Sequence, residues 1–330
     1  MSLRTPLCYM LDIEHPILLA GMGGVAYAEL VAAVSNAGGY GVLGMAGRTP
    51  DEIADQMRQV RKLTDRPFGV DLLAASPESL TASVDVIING GATAFVAGLG
   101  VPMPILEALH KAGLKVMVVC GQVKHAVKAE QAGCDAVICQ GGEGGGHTGL
   151  VGTFPLVAQA VETVKIPVAA AGGLYDGRGL AGALALGAQA VWMGTRFIAT
   201  KEAHAGDLYR EAVVKARDED TVRTRCYSGK PMRVAKNPYV EDWEARPKDI
   251  QPFPMQAMVS VRAGVMGGIG GQIDGLDPDR SCFAMGQSAG GVHKVMSAAE
   301  VIAEIMSDAH AAVSRLSALN ARSPAGAPAA

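Results

Sequence analysis

The stretch Ala136-Val137-Ile138-Cys139-Gln140-Gly141-Gly142-Glu143-Gly144-Gly145-Gly146-His147-Thr148-Gly149 joins a short apolar run to an almost continuous glycine segment. The apolar run is typical of a buried strand, and the polar Gln140 marks its end. Glycine at this density costs backbone entropy, so a chain that keeps it usually needs unusual dihedral angles or close backbone approach to another group. The stretch therefore predicts a strand followed by a loop whose backbone approaches a ligand.

The unit of strand, glycine-rich turn and helix recurs along the first 200 residues. Glycine or proline separates most helices from the next apolar run, as expected where a helix stops before an incoming strand. The runs are short, rich in Val, Ile and Ala, and do not alternate with polar residues, which indicates strands buried on both faces. We predict eight strands: Ile17–Ala20, Gly41–Leu43, Phe68–Leu73, Ala94–Ala97, Lys115–Val119, Ala136–Cys139, Val168–Ala171 and Ala190–Met193.

Eight parallel strands joined by helices form either a closed barrel or an open doubly wound sheet. The eight-fold count favours the α/β class and a (β/α)8 TIM barrel over residues 1–200. Beyond Thr200 the repeat stops, and we predict a smaller, mostly helical substrate cap at 201–295. A last helix at 296–318 would return to the barrel, and the Pro- and Ala-rich tail at 319–330 is predicted to be disordered.

The composition favours a globular enzyme-sized protein over several other classes. Of the 330 residues, 49% are hydrophobic and 18% are charged, so a large core can form. The net charge of -3 and the lack of a Lys/Arg block argue against a nucleic-acid partner, and no apolar run is long enough for a membrane span. The six cysteines show no CxxC spacing, which predicts reduced core thiols, no metal site and a cytoplasmic protein.

Residues suited to a ligand site follow the predicted strands, where the active face of an eight-stranded barrel lies. The loops after the seventh and eighth strands are the usual phosphate site, because free N–H groups and helix N-termini meet an anion there. The residues in these two loops are small enough to let a phosphate reach the backbone: Ala171, Gly172, Gly173, Gly194 and Thr195.

Several motifs resemble those of the nitronate monooxygenase family, formerly called the 2-nitropropane dioxygenases. The resemblance covers about residues 10–200 and continues more weakly into the last helix. It is carried by Gly21-Met22-Gly23, Val34-Ser35-Asn36-Ala37-Gly38-Gly39, Glu143 to Gly149, Ala171-Gly172-Gly173, Asp176-Gly177-Arg178-Gly179 and Met193-Gly194-Thr195-Arg196-Phe197.

The resemblance implies a barrel enzyme with FMN as its cofactor. Gly21, Met22 and Gly23 would face the flavin ring through their backbone, and Gln140 would hydrogen-bond the flavin. The stretch from Ala171 to Gly173, with Gly194 and Thr195, would hold the phosphate. Two further residues, Asp71 in the third strand and Gly145 in the glycine loop, complete the predicted cofactor set. Some family members place a lysine at the end of the fifth strand, where this chain has Val118-Val119-Cys120.

His147 is the predicted catalytic residue. An imidazole titrates near neutral pH without perturbation, so it can accept a proton or stabilise an anion. His147 lies among glycines after the sixth strand, where no core would satisfy it. Glu143 in the same loop is interpreted as a residue that orients the loop, with a direct chemical role as the alternative.

The leading functional hypothesis, implied by the resemblance, is oxidation of an alkyl nitronate with O2 to a carbonyl compound and nitrite. Three methionines, Met22, Met193 and Met232, together with an apolar cap would suit a small apolar substrate. The alternative is an NAD(P)H-dependent FMN reductase of enoyl-CoA-type thioesters or quinones, since the glycine loop is close to the form in reductases of coenzyme A thioesters. A non-catalytic phosphate-ligand binder is the third hypothesis, and a homodimer is compatible with the sequence.

Overall fold

The computed structural model describes residues 2–321 and contains one eight-stranded parallel sheet and one three-stranded sheet. In chain order the strands are β1 (Ile17–Leu19), β2 (Gly41–Gly44), β3 (Phe68–Leu73), β4 (Ala94–Gly98), β5 (Lys115–Cys120), β6 (Ala136–Gln140), β7 (Gly146–His147), β8 (Val168–Ala171), β9 (Ala190–Met193), β10 (Thr221–Thr224) and β11 (Met232–Ala235). The large sheet has the order β1-β9-β8-β6-β5-β4-β3-β2. All eight predicted strands are therefore present, with ends that differ by one residue at most.

The sheet closes into a barrel between β1 and β2. Leu18 and Tyr40 form a parallel bridge there. The N–H of Leu19 donates to the carbonyl of Tyr40, and the N–H of Tyr40 donates to the carbonyl of Ile17, each at 2.9 Å. Because both edges of the sheet meet, the open doubly wound alternative is excluded and the TIM barrel is confirmed.

Helices surround the barrel and recur in the region after it. In chain order they are α1 (Pro6–Leu11), α2 (Ala28–Asn36), α3 (Pro50–Leu63), α4 (Pro77–Asn89), α5 (Leu106–Lys111), α6 (Val123–Gln131), α7 (Thr153–Thr163), α8 (Gly177–Ala185), α9 (Thr195–Ile198), α10 (Asp207–Lys215), α11 (Pro238–Glu244), α12 (Met255–Arg262), α13 (Gly267–Gly270) and α14 (Ala298–Ala321). Two 3-10 turns lie at Pro247–Asp249 and Gln287–Gly291.

The alternation of each strand divides the core into two layers. One set of side chains points into the barrel, where Val96, Ile138 and Trp192 pack with residues of α1 at the amino-terminal end. The other set, which includes Val70 and Met193, packs outward against the helices. This alternation decides which residue at each strand end faces the mouth of the barrel.

Residues 201–295, the predicted cap region, contain the helices α10 to α13 and the strands β10 and β11. Helices cover less than half of these residues, so the expectation of a mostly helical cap is wrong. These two strands pair antiparallel, and β11 then pairs antiparallel with β7 from the glycine loop. The sequence pattern did not predict this three-stranded sheet. It fastens the cap region to the loop that follows β6.

The last helix, α14, packs against the barrel helices α8 and α2 and extends to Ala321. The predicted disordered tail at 319–330 is wrong for 319–321, which belong to α14, and its remainder from residue 322 onward lies outside the described residues. Within 2–321, no helix is long and apolar enough to cross a membrane, and no cluster of three His, Cys, Asp or Glu side chains is arranged to hold a metal ion. All six cysteines are buried and unpaired.

Candidate cofactor and substrate site

Asp71 and Gln140 point into the barrel mouth because each occupies an inward position at the end of its strand. Gly44 pairs with Asp71 across β2 and β3, and Gln140 pairs with Ala171 across β6 and β8. Two predicted cofactor residues, Gln140 and Ala171, are thus brought side by side. Asp71 lies at the same level on the opposite wall.

The loop after β1 passes directly over Asp71. A Cβ atom placed on Gly21 would lie 2.3 Å from the Cβ of Asp71, so only glycine permits this approach. The side chain of Met22 reaches the loop after the neighbouring strand β9, and its sulfur would lie 3.2 Å from a Cβ on Gly194. Gly23 lies below α13, near the carbonyl of Ile269. The first loop therefore bridges the ends of β3 and β9.

The Asp71 carboxyl is buried without a protein partner among residues 2–321. Only 7% of the residue is exposed, and burial raises its pKa well above the ordinary value for aspartate. A lone buried carboxyl is costly unless it is protonated or meets a donor. Asp71 therefore suits a ligand that presents a hydrogen-bonding group at the base of the mouth.

The two predicted phosphate loops present unused backbone donors. Gly172 and Gly173 adopt left-handed conformations, with φ of 96° and 74°. Within the described chain, no protein acceptor meets the backbone N–H of Gly172, Gly173 or Gly194. Consecutive N–H groups held in this way form a concave anion site. The arrangement fits a phosphate at the ends of β8 and β9.

Acidic side chains near these loops are already engaged by helix N-termini. The Glu143 carboxylate accepts bonds of 3.0 Å from the N–H of Thr153 and 2.9 Å from its hydroxyl, at the first residue of α7. The Asp176 carboxylate accepts from the N–H of Gly179 and caps α8. Their charges are thus directed to helix ends, where they are stabilised. These bonds hold the Glu143 carboxylate at the start of α7, which is compatible with its interpretation as a residue that orients the loop.

A cap segment at 285–287 crosses between the glycine loop and the phosphate loops. The N–H of Gly286 donates to the Thr195 hydroxyl at 2.9 Å, and the N–H of Gln287 donates to the carbonyl of Glu143 at 2.9 Å. Gly145 lies against the backbone of Met285 and Gly286. Thr195 and Gly145, two predicted cofactor residues, are therefore joined through a segment that lies about 90 residues later in the chain than Thr195.

Gln140 supports the glycine loop as well as facing the mouth. Its side-chain amide donates to the carbonyl of His147 at 2.9 Å. The hydroxyl of Thr148 donates to the carbonyl of Gly141 at 2.8 Å, which closes the same loop from the other end. These two bonds fix the backbone of the loop at His147 and so set the direction of the His147 side chain.

The imidazole of His147 meets a serine of the cap. Its Nε2 atom lies 2.8 Å from the Ser228 hydroxyl, which is itself buried and close to the carbonyl of Lys230. Burial, followed by the charge of Lys230, lowers the pKa of His147 to about 4. The ring is therefore neutral near pH 7, with Nδ1 as its open nitrogen, and rotation of the Ser228 hydroxyl decides which nitrogen carries the proton.

The structure corrects the expectation that Met193 and Met232 line a substrate wall. Met193 packs in the outer layer between barrel and helices, so it does not line a substrate wall. Met232 is buried within the cap core and pairs with His147 through the backbone. At the end of β5, Val119 is the residue that packs on the inner layer, so an apolar side chain occupies the position nearest to the family's lysine.

The family assignment agrees with this geometry. A family model described as nitronate monooxygenase matches residues 4–308. The chain belongs to the nitronate monooxygenase family. It is therefore an oxidoreductase of a flavoprotein family. Most motifs that suggested the resemblance follow strands at the mouth of the barrel, whereas Val34 to Gly39 lies at the other end, between α2 and β2.

The chain is similar to two relatives with different named activities and to one solved structure. It is 43% identical over 248 residues to "(3aS,4S,5R,7aS)-5-hydroxy-7a-methyl-1-oxo-octahydro-1H-indene-4-carboxyl-CoA dehydrogenase" of Mycobacterium tuberculosis, covering 74% of this chain and 70% of the relative. It is 35% identical over 298 residues to a probable nitronate monooxygenase of Staphylococcus aureus, covering 77% and 84%. The structure of FabK from Thermotoga maritima superposes with a TM-score of 0.87 at 38% identity, covering 96% and 99%.

Proposed function

We propose that this protein is an FMN-dependent oxidoreductase that reduces the C=C bond of an enoyl thioester, with NAD(P)H as the hydride donor. The observation that carries the proposal is the neutral His147, held by Ser228 on one nitrogen and open on the other. Such a ring can donate a hydrogen bond from Nδ1 to a carbonyl oxygen when Ser228 donates to Nε2, and with a pKa of about 4 it is a weak base near pH 7. The 43% identity to a CoA-thioester dehydrogenase supports the choice of substrate class.

The residues at the strand ends fit FMN on the basis of their donors and their shape. Gly172, Gly173, Gly194 and Thr195 would hold the phosphate through backbone N–H groups. Gly21, Met22 and Gly23 would lie against the ring, with Asp71 and Gln140 as hydrogen-bonding partners and Gly145 beside them. When bound, the flavin would supply hydride transfer between a nicotinamide and the thioester.

His147 would position the thioester by a hydrogen bond to its carbonyl oxygen. The ring is fixed by Ser228 and by the bond from Gln140 to its own carbonyl, so little reorganisation is needed on binding. A fixed donor at a developing negative charge is the arrangement that stabilises an enolate-like transition state.

Anaerobic stopped-flow mixing of the FMN-loaded enzyme tests this proposal. We expect NADPH or NADH to bleach the flavin and an enoyl-CoA to restore its colour, whereas propyl-2-nitronate leaves the oxidised spectrum unchanged. Bleaching by the nitronate and not by either pyridine nucleotide would reject the thioester proposal.

The second candidate is oxidation of alkyl nitronates with O2 to carbonyl compounds and nitrite. A specific observation favours it: the Lys230 charge acts on His147, and a cation beside a neutral imidazole suits an anionic nitronate. The identity to a probable nitronate monooxygenase also supports it. Nitrite release under air, at a rate that saturates with nitronate, would establish this activity.

A further inference from the structure

Four cations lie on the small sheet that joins the cap to the glycine loop. Arg223 is on β10, Arg233 is on β11, and Arg225 and Lys230 lie in the connection between these strands. We call these four residues the cationic cluster. Arg223 and Arg225 are exposed, while Lys230 and Arg233 are half-buried.

The cationic cluster lacks acidic partners within residues 2–321, although other cap arginines have them. Arg217 pairs with Asp220 at 3.2 Å, and Arg246 pairs with Asp242 at 2.6 Å. The cluster instead bonds to backbone carbonyls: Arg223 to Gly149, Arg225 to Gly229 and Arg233 to Gly142. Carbonyl bonds orient a guanidinium without neutralising its charge. The Glu143 carboxylate acts on Arg233 from a distance and offsets part of that charge.

Two members of the cluster face each other as like charges. Arg223 and Arg233 are register partners in the antiparallel pair of β10 and β11, so their side chains lie on one face of the sheet directly opposite each other. The charge of Arg223 adds to burial in lowering the pKa of Arg233. Like charges directly opposite each other destabilise a sheet. Unfavourable pairs of this kind are expected mainly at functional sites.

The cluster is fixed beside the candidate reaction site. Arg233 is the register partner of Gly146, next to His147, and its Nε donates to the carbonyl of Gly142 at 2.9 Å. The Lys230 ammonium lies 4.5 Å from the centre of the Phe253 ring, which holds it in place. Arg223 and Arg233 lie on the face of the sheet opposite to the His147 side chain, because successive side chains of a strand alternate between its faces. The charge of Lys230 reaches His147 and helps to lower its pKa.

We propose that the cationic cluster binds the phosphates of a ligand that contains a nucleoside diphosphate. Arginine guanidinium groups present parallel donors that match phosphate oxygens in pairs, and a diphosphate would relieve the repulsion between Arg223 and Arg233. A substrate with a single negative charge would not engage four cations. Two ligands share this chemistry, coenzyme A and NAD(P)H. The inference extends the proposed function, and it rests on that function only because it takes His147 as the residue that faces the substrate.

Calorimetric titration of the FMN-loaded protein with ADP, CoA, NADPH and NADH tests the cluster without any requirement for turnover. We expect R223Q to weaken binding of at least one of these ligands about tenfold or more, as for loss of one charge-assisted hydrogen bond. R223K, which keeps the positive charge, should lose less affinity than R223Q. The matched control is R262Q on α12, since Arg262 is also exposed and belongs to the same cap; its affinities should equal those of the wild type.

The ligand whose affinity falls in R223Q but not in R262Q identifies the source of the diphosphate. If only the affinity for CoA falls, the cluster binds the thioester. If only the affinity for NADPH or NADH falls, the cluster binds the hydride donor. Equal affinities in wild type and R223Q, or no binding of any of the four ligands at millimolar concentration, would overturn the inference. Because binding is measured directly, failure of the thioester activity would leave this result interpretable on its own.

Discussion

The Nε2 atom of His147 lies 2.8 Å from the Oγ atom of Ser228, so one hydrogen bond joins the glycine loop of the barrel to the cap. The two residues are 81 positions apart in the chain. Their contact fixes the imidazole from outside the barrel and leaves Nδ1 as the nitrogen that can meet a substrate. The account of the site depends on this arrangement.

Removal of the Ser228 hydroxyl should impair catalysis more than folding. In S228A the imidazole loses its partner and its orientation, and we expect kcat/KM to fall by about tenfold or more. S83A is the matched control, because the buried Ser83 hydroxyl has no hydrogen-bond partner in the described chain and its loss should be neutral or slightly stabilising. Equal kinetics for S228A and wild type would remove Ser228 from the site.

His147 should stay neutral through the physiological pH range and charge only in acid. Its folded pKa of about 4 lies below the unfolded value of 6.5. The neutral ring therefore contributes stability that is present above pH 6.5 and lost as the pH falls towards 4. We expect K230Q to raise the pKa, because it removes the Lys230 charge, whereas K236Q, at an exposed lysine on the next turn, should leave it unchanged. Histidine NMR titration measures both values.

Glu143 should act as a structural residue at the N-terminus of α7. E143A removes the acceptor of the Thr153 N–H and hydroxyl, at a cost of about 1–2 kcal/mol in the free energy of unfolding. E162A, at an exposed position near the other end of α7, is the control and should be close to neutral. Chemical denaturation followed by circular dichroism compares the two. A large loss of activity in E143A with unchanged stability would instead indicate direct chemistry.

Asp71 should destabilise the cofactor-free protein at neutral pH. Its folded pKa is raised by burial, so the stability of the protonated form is fully present below the unfolded value of 3.8 and is lost as the pH rises through the folded pKa. D71N removes this titration, and we expect it to raise the melting temperature at pH 7 but not at pH 4. Equal melting temperatures at both values of pH would show that the carboxyl is solvated.

The barrel could be predicted from the sequence because its signal is local and repeated. Runs such as Val168–Ala171 are buried throughout and are followed by glycine. The same unit of strand, glycine-rich turn and helix repeats around the barrel. The strand ends then place Asp71, Gln140 and the loops at 171–173 and 194–195 on one face without any knowledge of side-chain contacts.

The cap sheet and the partners of His147 could not be predicted in this way. Thr221–Thr224 and Met232–Ala235 each contain an arginine and are only partly buried, so they lack the apolar pattern of the barrel strands. Their pairing with Gly146–His147 joins a strand of two residues to one that lies far along the chain. Ser228 directly precedes Gly229-Lys230-Pro231-Met232-Arg233, which belongs to the weaker part of the family resemblance beyond residue 200, and no other sequence signal points to it.

The cofactor content of purified protein reconstituted with FMN tests the central claim most directly, with G172A and G182A measured beside the wild type. Gly172 has a φ of 96°, and a Cβ there would lie 2.9 Å from the Thr153 hydroxyl, whereas a Cβ on Gly182 in α8 meets nothing within 4 Å. We predict equimolar FMN with visible flavin absorption in the wild type and in G182A, and loss of most bound FMN in G172A. A colourless wild type that retains no FMN, or full retention by G172A, would contradict the account.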